Sequence, residues 1–273
     1  MDDMAVFNNT PVDVHSHHNE FNDLGQRLPS TREYFDASSP CQPVGSFPAS
    51  GIKVLIVGTG LAGLTAALEC HRKGHTVKVV EKGGSANVAG DMFFMGLSGT
   101  RWLKHWPDMV AEYDTISMKD AWLTTYTHTG ERKIRMNGAS ARLSDENNPP
   151  GMYPPGYFQM RPLMHEMLMR QIKKCGIPVE FNTKIVEYWE KEKYAVAVTD
   201  KGEWNVANVI LVADGVGTAA QKLISGEGND SRRHSGRAMW RGVIPADTLR
   251  QHPRVHRHFE TNPGESSVST FLG

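Results

Sequence analysis

Apolar and polar positions along this chain change period from block to block, and the blocks predict strands alternating with helices. Val54 to Val57 is a wholly apolar, β-branched run, the pattern of a strand buried on both faces of a parallel sheet. Leu61, Leu64 and Leu68 then fall on one helical face, and Arg72, Lys73 and Gly74 supply a basic last turn and a glycine stop. A second strand is predicted over Thr76 to Val80. Residues 83–108 read as a glycine-rich loop and then a helix carrying Arg101, Lys104 and His105, with Phe93, Phe94 and Trp102 as packing residues. Residues 121–136 predict two strands around a turn at Thr129 and Gly130, and 146–156 a proline-rich loop.

The spacing of Leu163 and Met167, and of Met164, Leu168 and Ile172, predicts a helix over 159–176 with Gly176 as its stop. Arg161 stands at its start, where a cation opposes the helix dipole, so its reason is expected outside the helix. Residues 178–213 predict strands, with Tyr194, Val196 and Val198 on one face and a hairpin turn at Asp200, Lys201 and Gly202. A continuously apolar strand, Asn208 to Val212, ends in Ala213, Asp214 and Gly215, and a helix follows. The order is that of an α/β fold with a mainly parallel, Rossmann-like sheet interrupted by β insertions.

Between the first strand and the first helix lies a G-x-G-x-x-G turn: Gly58, Thr59, Gly60, Leu61, Ala62, Gly63. Its first glycine permits the tight turn, the second lets a pyrophosphate approach the backbone, and the third lets helix and strand pack closely. An anion there meets a helix N-terminus. Glu81 closes the second strand about 20 residues on, where a carboxylate accepts hydrogen bonds from ribose hydroxyls. A dinucleotide site follows from the strand, turn, helix and acid taken together.

Composition narrows the alternatives. Lysine plus arginine (30) equals aspartate plus glutamate (30), so no global field favours nucleic acid or an anionic membrane. The apolar stretch 54–69 is too short and glycine-rich to span a bilayer, and no signal sequence opens the chain, so a cytoplasmic location is the default expectation. Cys41, Cys70 and Cys175 are too few and too scattered for a disulfide framework or a C-x-x-C metal site, and Cys70 reads as a packing residue of the first helix. No metal site is expected. His15 and His17 sit in a D-x-H-x-H pattern without a barrel to present them, and His252, His256 and His258 lack a completing carboxylate or cysteine. Arg232, Arg233, Arg237 and Arg241 read as a solvated basic loop. Residues 1–50, rich in Asn, Asp, Ser, Pro and His, read as an extended or disordered polar tail.

From Ile52 onward the chain resembles the class A FAD-dependent monooxygenases, the aromatic-ring hydroxylase family with salicylate hydroxylase-like members. The resemblance rests on the Gly58 to Gly63 turn, Glu81, "MRPLMHEML" with Arg161, "VADG" with Asp214 and Gly215, and "GRAMWRGVIP" at 236–245. It implies a Rossmann-like FAD-binding domain over 51–230, with part of a substrate sheet inserted around 118–160. Residues 231–273 would begin a substrate-binding domain whose mixed or antiparallel sheet is incomplete. FAD is the implied cofactor and NAD(P)H the co-substrate, with O2 and an aromatic, phenolic or polyketide-like small molecule as reactants.

The implied FAD-binding set has Gly58, Gly60 and Gly63 at the pyrophosphate, Glu81 at the adenosine ribose and Arg161 reaching the cofactor from the helix start, together with Leu61, Ala62, Lys82, Gly90, Asp214 and Gly215. No catalytic acid or base stands out, since the flavin carries the chemistry. Two departures matter. The family turn Asp-Gly-x-x-Ser-x-x-Arg here has Thr218 for the serine and Gln221 for the arginine, with Lys222 one place later. The family's second flavin motif, Gly-Asp-Ala-Ala-His, has no counterpart beyond Gly90-Asp91, which comes too early, and "SSVSTFLG" reads as a substrate-sheet strand without its partners. A truncated, inactive flavin-binding fragment and an NAD-dependent dehydrogenase are the alternative readings.

Overall fold

The computed structural model describes residues 41, 43–86, 90, 92–118, 122–137, 157–226, 233–236, 248, 250–253, 256 and 267–272. Its elements run β1 (Lys53–Val57), α1 (Leu61–Arg72), β2 (Thr76–Val80), β3 (Met92–Met95), α2 (Leu97–Thr100), a 3-10 turn (Arg101–His105), α3 (Pro107–Ile116) and β4 (Ser117–Met118). There follow β5 (Trp122–Thr127), β6 (Arg132–Asn137), β7 (Tyr157–Met160), α4 (Arg161–Lys174), β8 (Val179–Glu180) and β9 (Ile185–Glu190). The chain continues through β10 (Ala195–Thr199), β11 (Trp204–Ala207), β12 (Val209–Val212), α5 (Gln221–Ser225) and β13 (Ser267–Leu272).

The central sheet has the order β12-β1-β2-β8 and is parallel throughout. Val54 to Val57 of β1 are all buried because each face of the sheet is covered. On one face lie α1 and α4, whose Leu64, Ala67, Leu68, Met164, Met167, Leu168 and Ile172 share a core with Val54, Ile56, Val77 and Val79. Full burial of each Leu, Ile, Val or Met side chain among these contributes roughly 1.5–3 kcal/mol. On the other face lies an antiparallel meander, β11-β10-β9, which packs Ala197, Ala207 and Ile185 against Leu55, Val57 and Val80. Hydrophobic residues on alternate sides of β1 thus meet helices on one face and strands on the other.

Two smaller sheets complete the described elements: β3-β7-β4, antiparallel, and β13-β5-β6, in which β13 runs parallel to β5. The fold is therefore mixed α/β, as the sequence leads one to expect. Several local expectations change. Residues 92–95 form a strand, and the helix expected after them is a pair of short helical turns over 97–105. The helix expected from 159 starts at Arg161 because 157–160 pair as β7 between β3 and β4. Val196 is buried, but Tyr194 precedes β10 and is exposed, so they do not share one packed face. The Asp214 turn leads into a helix of only one turn and a half, α5.

The cysteine expectation is also corrected. Cys41 and Cys175, 134 residues apart in sequence, form a disulfide, while Cys70 is free and packs against the α1 side of the core. Residues 43–50, read from sequence as part of an extended or disordered tail, run as a strap over the ends of α1 and the 3-10 turn. Val44 N–H donates to His105 O (2.8 Å), Phe47 N–H to Arg72 O (2.9 Å) and Ser50 N–H to Gly74 O (2.9 Å). Arg72 Nη1 donates back to Gly45 O at 2.8 Å, and Lys73 Nζ lies 4.0 Å from the Phe47 ring centre.

Candidate functional site

The carboxyl ends of β1, β2 and β12 converge where a doubly wound sheet leaves a crevice for ligands. β1 delivers Gly58 with φ +105°, a conformation that favours glycine, and a Cβ there would meet Ala213 O at 2.6 Å. At Gly63, in the first turn of α1, a Cβ would stand 2.1 Å from Gly58 O. These two glycines let β1, α1 and the end of β12 close together. Gly60 differs: it is the N-cap of α1 and a Cβ there would come no nearer than 3.9 Å, to Ala213 O. Its missing side chain serves the open approach to the helix start. Helix geometry leaves the first-turn N–H groups without intrahelical partners, and α1 has no acidic residue in that turn to compete for them.

Glu81, just past β2, organises the turn. Its Oε2 accepts from Thr59 N–H and Thr59 Oγ1, each at 2.9 Å, and its Oε1 accepts from Gly83 N–H at 2.8 Å. Burial pushes this carboxyl up, but the Thr59 and Gly83 N–H groups and the Thr59 hydroxyl outweigh it and hold the pKa below the usual carboxylate range. A carboxylate offers about four lone-pair sites, so capacity remains for one further donor. Glu81 and Lys82 line a cleft of about 210 Å³ with Gly58, Thr183, Lys184 and Asp214.

Asp214 follows β12 and is half-buried; its Oδ1 is buried with no hydrogen-bond partner among the described residues. The neighbouring Tyr188 hydroxyl is likewise buried and unpartnered, and its pKa is driven up by burial first and by the Asp214 charge second. Buried polar atoms are rarely left unsatisfied, and an acceptor at the edge of a cleft suits a ligand hydroxyl. Gly215 continues the turn at φ +87°.

Arg161 opens α4, and Gly90 lies against its stem: a Cβ at Gly90 would meet Arg161 Cδ at 2.5 Å and Cβ at 3.0 Å. The two residues therefore come together beside the glycine turn's helix pair, although 71 positions separate them in sequence. Leu61 and Ala62 take part in a second, apolar groove of about 530 Å³, with Phe93, Met95, Trp102 and Met164 on its other walls. Phe93 and Trp102 thus both pack on the core and line a groove. Phe94 is exposed and contacts Phe158 edge to face at 5.1 Å.

One residue of the site escapes sequence reading. His165 on α4 is 1% exposed, and its Nε2 lies 2.7 Å from Thr59 O, inside the glycine turn. A carbonyl only accepts, so Nε2 carries the proton and donates. Burial pushes the imidazole pKa down, an effect the Thr59 carbonyl only partly offsets. The available signal was a polar residue between Met164 and Met167 on the apolar stripe of α4.

Other sequence candidates fall elsewhere. His15, His17, Arg232, Arg237, Arg241 and His258 lie outside the described residues. His256 N–H donates to His252 O at 3.0 Å, and its Nδ1 lies 2.9 Å from Pro253 O. Cys41, Cys175 and His71 come within 4.8 Å of one another, but the two sulfurs are bonded to each other. Among the described residues no helix is long and apolar enough to cross a membrane.

Comparison with known proteins adds a family context. Residues 53–147 match the FAD binding domain family. The FAD-dependent monooxygenase fsr3 of Gibberella fujikuroi is 33% identical over 229 residues, covering 82% of this chain and 43% of that protein. The FAD-dependent monooxygenase mdpD of Emericella nidulans is 30% identical over 268 residues, covering 93% of this chain and 50% of that protein. The chain thus spans about half the length of the curated relatives it matches. Among solved structures, FqzB shares the fold with a TM-score of 0.67 at 23% identity, covering 85% of this chain and 50% of that one. CtdE in complex with FAD gives a TM-score of 0.66 at 26% identity, with coverages of 81% and 53%.

Proposed function

This chain belongs to the FAD-dependent monooxygenases, of whose length it spans about half, and we infer that it binds FAD. In our reading it uses NAD(P)H and O2 to hydroxylate an aromatic, phenolic or polyketide-like small molecule. The observation that carries the cofactor assignment is the cradle itself. Gly58 and Gly63 cannot hold side chains, Gly60 leaves the helix start open, and Asp214 Oδ1 is a buried acceptor at the cleft edge without a partner among the described residues.

In this reading Gly58, Gly60, Leu61, Ala62 and Gly63 receive the pyrophosphate on the first turn of α1. Glu81 accepts from the adenosine ribose with its remaining lone pair, while Lys82 flanks it at the rim. Arg161, its stem held by Gly90, and the Asp214-Gly215 turn complete the set. Bound FAD would supply the redox and oxygen chemistry; the protein's part is to orient the cofactor and exclude water. Gln221, where the family turn carries arginine, favours a second reading in which the chain holds FAD but does not use NAD(P)H.

An absorbance titration of the purified chain with FAD, followed by gel filtration, tests the cofactor assignment. A resolved, red-shifted flavin band that survives the column is the expected result, and free flavin eluting apart from a folded chain overturns it. NAD(P)H oxidation and O2 uptake by the flavin-loaded chain then separate the two readings.

A further inference from the structure

We propose that His165 is a positioning residue for the nucleotide site: its imidazole locks the Thr59–Gly60 peptide so that Gly60 N–H faces the open start of α1. The proposal deepens the FAD reading above and rests on it. Three observations lead there.

The first is the bond itself. His165 Nε2–H donates to Thr59 O at 2.7 Å from a ring that is 1% exposed, so water does not compete for the carbonyl. In a trans peptide the carbonyl and the following N–H point in opposite directions. No cis peptide bond is present among the described residues, so a Thr59 carbonyl directed at α4 turns Gly60 N–H away from α4.

The second is that the other side of Thr59 is held independently. Thr59 N–H donates to Glu81 Oε2 at 2.9 Å, fixing the preceding peptide from β2. Thr59 is flanked by Gly58 and Gly60, and glycines give the backbone access to conformations closed to other residues. Rotating the 59–60 peptide plane would present a carbonyl oxygen where an anion must bind. The Glu81 bonds do not restrain that plane; His165 does.

The third is the cost borne by His165. Its Nδ1 is buried with no hydrogen-bond partner among the described residues, on a helix whose Met164, Met167 and Leu168 are buried in the core. An apolar side chain would pack there without an orphaned nitrogen. Nε2 is thus the ring nitrogen with a partner, and that partner is the turn.

The test compares the full chain with His165→Leu, which removes the donor, and His165→Gln, which restores an N–H of similar reach. Calorimetry measures FAD, ADP and adenosine binding, and thermal melts report the fold. The peptide faces the pyrophosphate, so His165→Leu should weaken FAD and ADP about tenfold while adenosine changes less than about twofold, and His165→Gln should recover most of the loss. Equal losses for ADP and adenosine without rescue by glutamine would show a general packing role and overturn the proposal. So would unchanged ADP affinity in a folded His165→Leu chain. A wild-type chain that binds neither FAD nor ADP would overturn the nucleotide reading and this proposal together, an outcome distinct from the variant's failure alone.

Discussion

Replacing Cys41 with serine removes the cross-link between the strap and the end of α4, and the size of the effect can be worked from the chain. The bridge joins residues 134 apart. Closing a loop of that length removes unfolded-state entropy corresponding to about 5 kcal/mol at 25 °C in the chain-entropy description. The native strap keeps its backbone hydrogen bonds from Val44, Phe47 and Ser50, so the change acts mainly on the unfolded chain. At roughly 2–4 °C per kcal/mol for a domain of this size, the melting temperature should fall by about 10–20 °C. The assay is a thermal melt of the oxidised chain, of Cys41→Ser, and of the wild type in dithiothreitol, with thiols counted in urea without reductant. One thiol, Cys70, should titrate before reduction and three afterwards. Three thiols in the unreduced chain would sink the reasoning, as would melts that coincide within about 2 °C.

Gly63→Ala places a Cβ 2.1 Å from Gly58 O, so the turn must open; FAD affinity should drop at least about tenfold and stability by about 1–3 kcal/mol, read by flavin titration and urea unfolding. Glu81→Ala leaves Thr59 N–H and Gly83 N–H without their acceptor and should cost about 1–3 kcal/mol; an unchanged urea midpoint would contradict the bonds described. Acid should destabilise the chain in two windows. Burial holds His165 and His71 below their ordinary 6.5, so the unfolded chain takes up protons first, and stability present above pH 6.5 is lost as pH falls toward the lower folded values. Glu81 and Glu69 sit below their ordinary 4.5 because donors outweigh burial. For Glu69 those donors are Arg72 and Trp106, and the stability present above pH 4.5 is lost as pH falls through the depressed folded pKa. Urea midpoints should therefore decrease from pH 7.5 to 5.5 to 3.5, and a rise over the first interval would refute the histidine part.

Elements whose causes are local can be read from the residues alone. β1, α1 and β2 appear where a β-branched run, a leucine stripe and a second apolar run predict them, and the hairpin between β5 and β6 turns at Thr129 and Gly130. Glycine spacing in the turn was legible for the same reason: the demands of a strand-to-helix reversal fall within six residues. The position of Arg161 points to a reason outside its helix, and only the structure places Gly90 against its stem.

The remaining features depend on pairs far apart in the chain. β12 lies beside β1 in register Val54 with Val209, and the apolar run of β1 shows that both its faces are covered but not that the β9 to β11 meander covers one of them. Residues 157–160 become a strand only because β3 and β4 flank them. The Cys41–Cys175 link spans 134 residues, and the His165 hold on Thr59 spans 106. Local preference extends over a few residues along the chain, whereas these contacts form only when the packing of α1 and α4 on the parallel sheet brings their partners together.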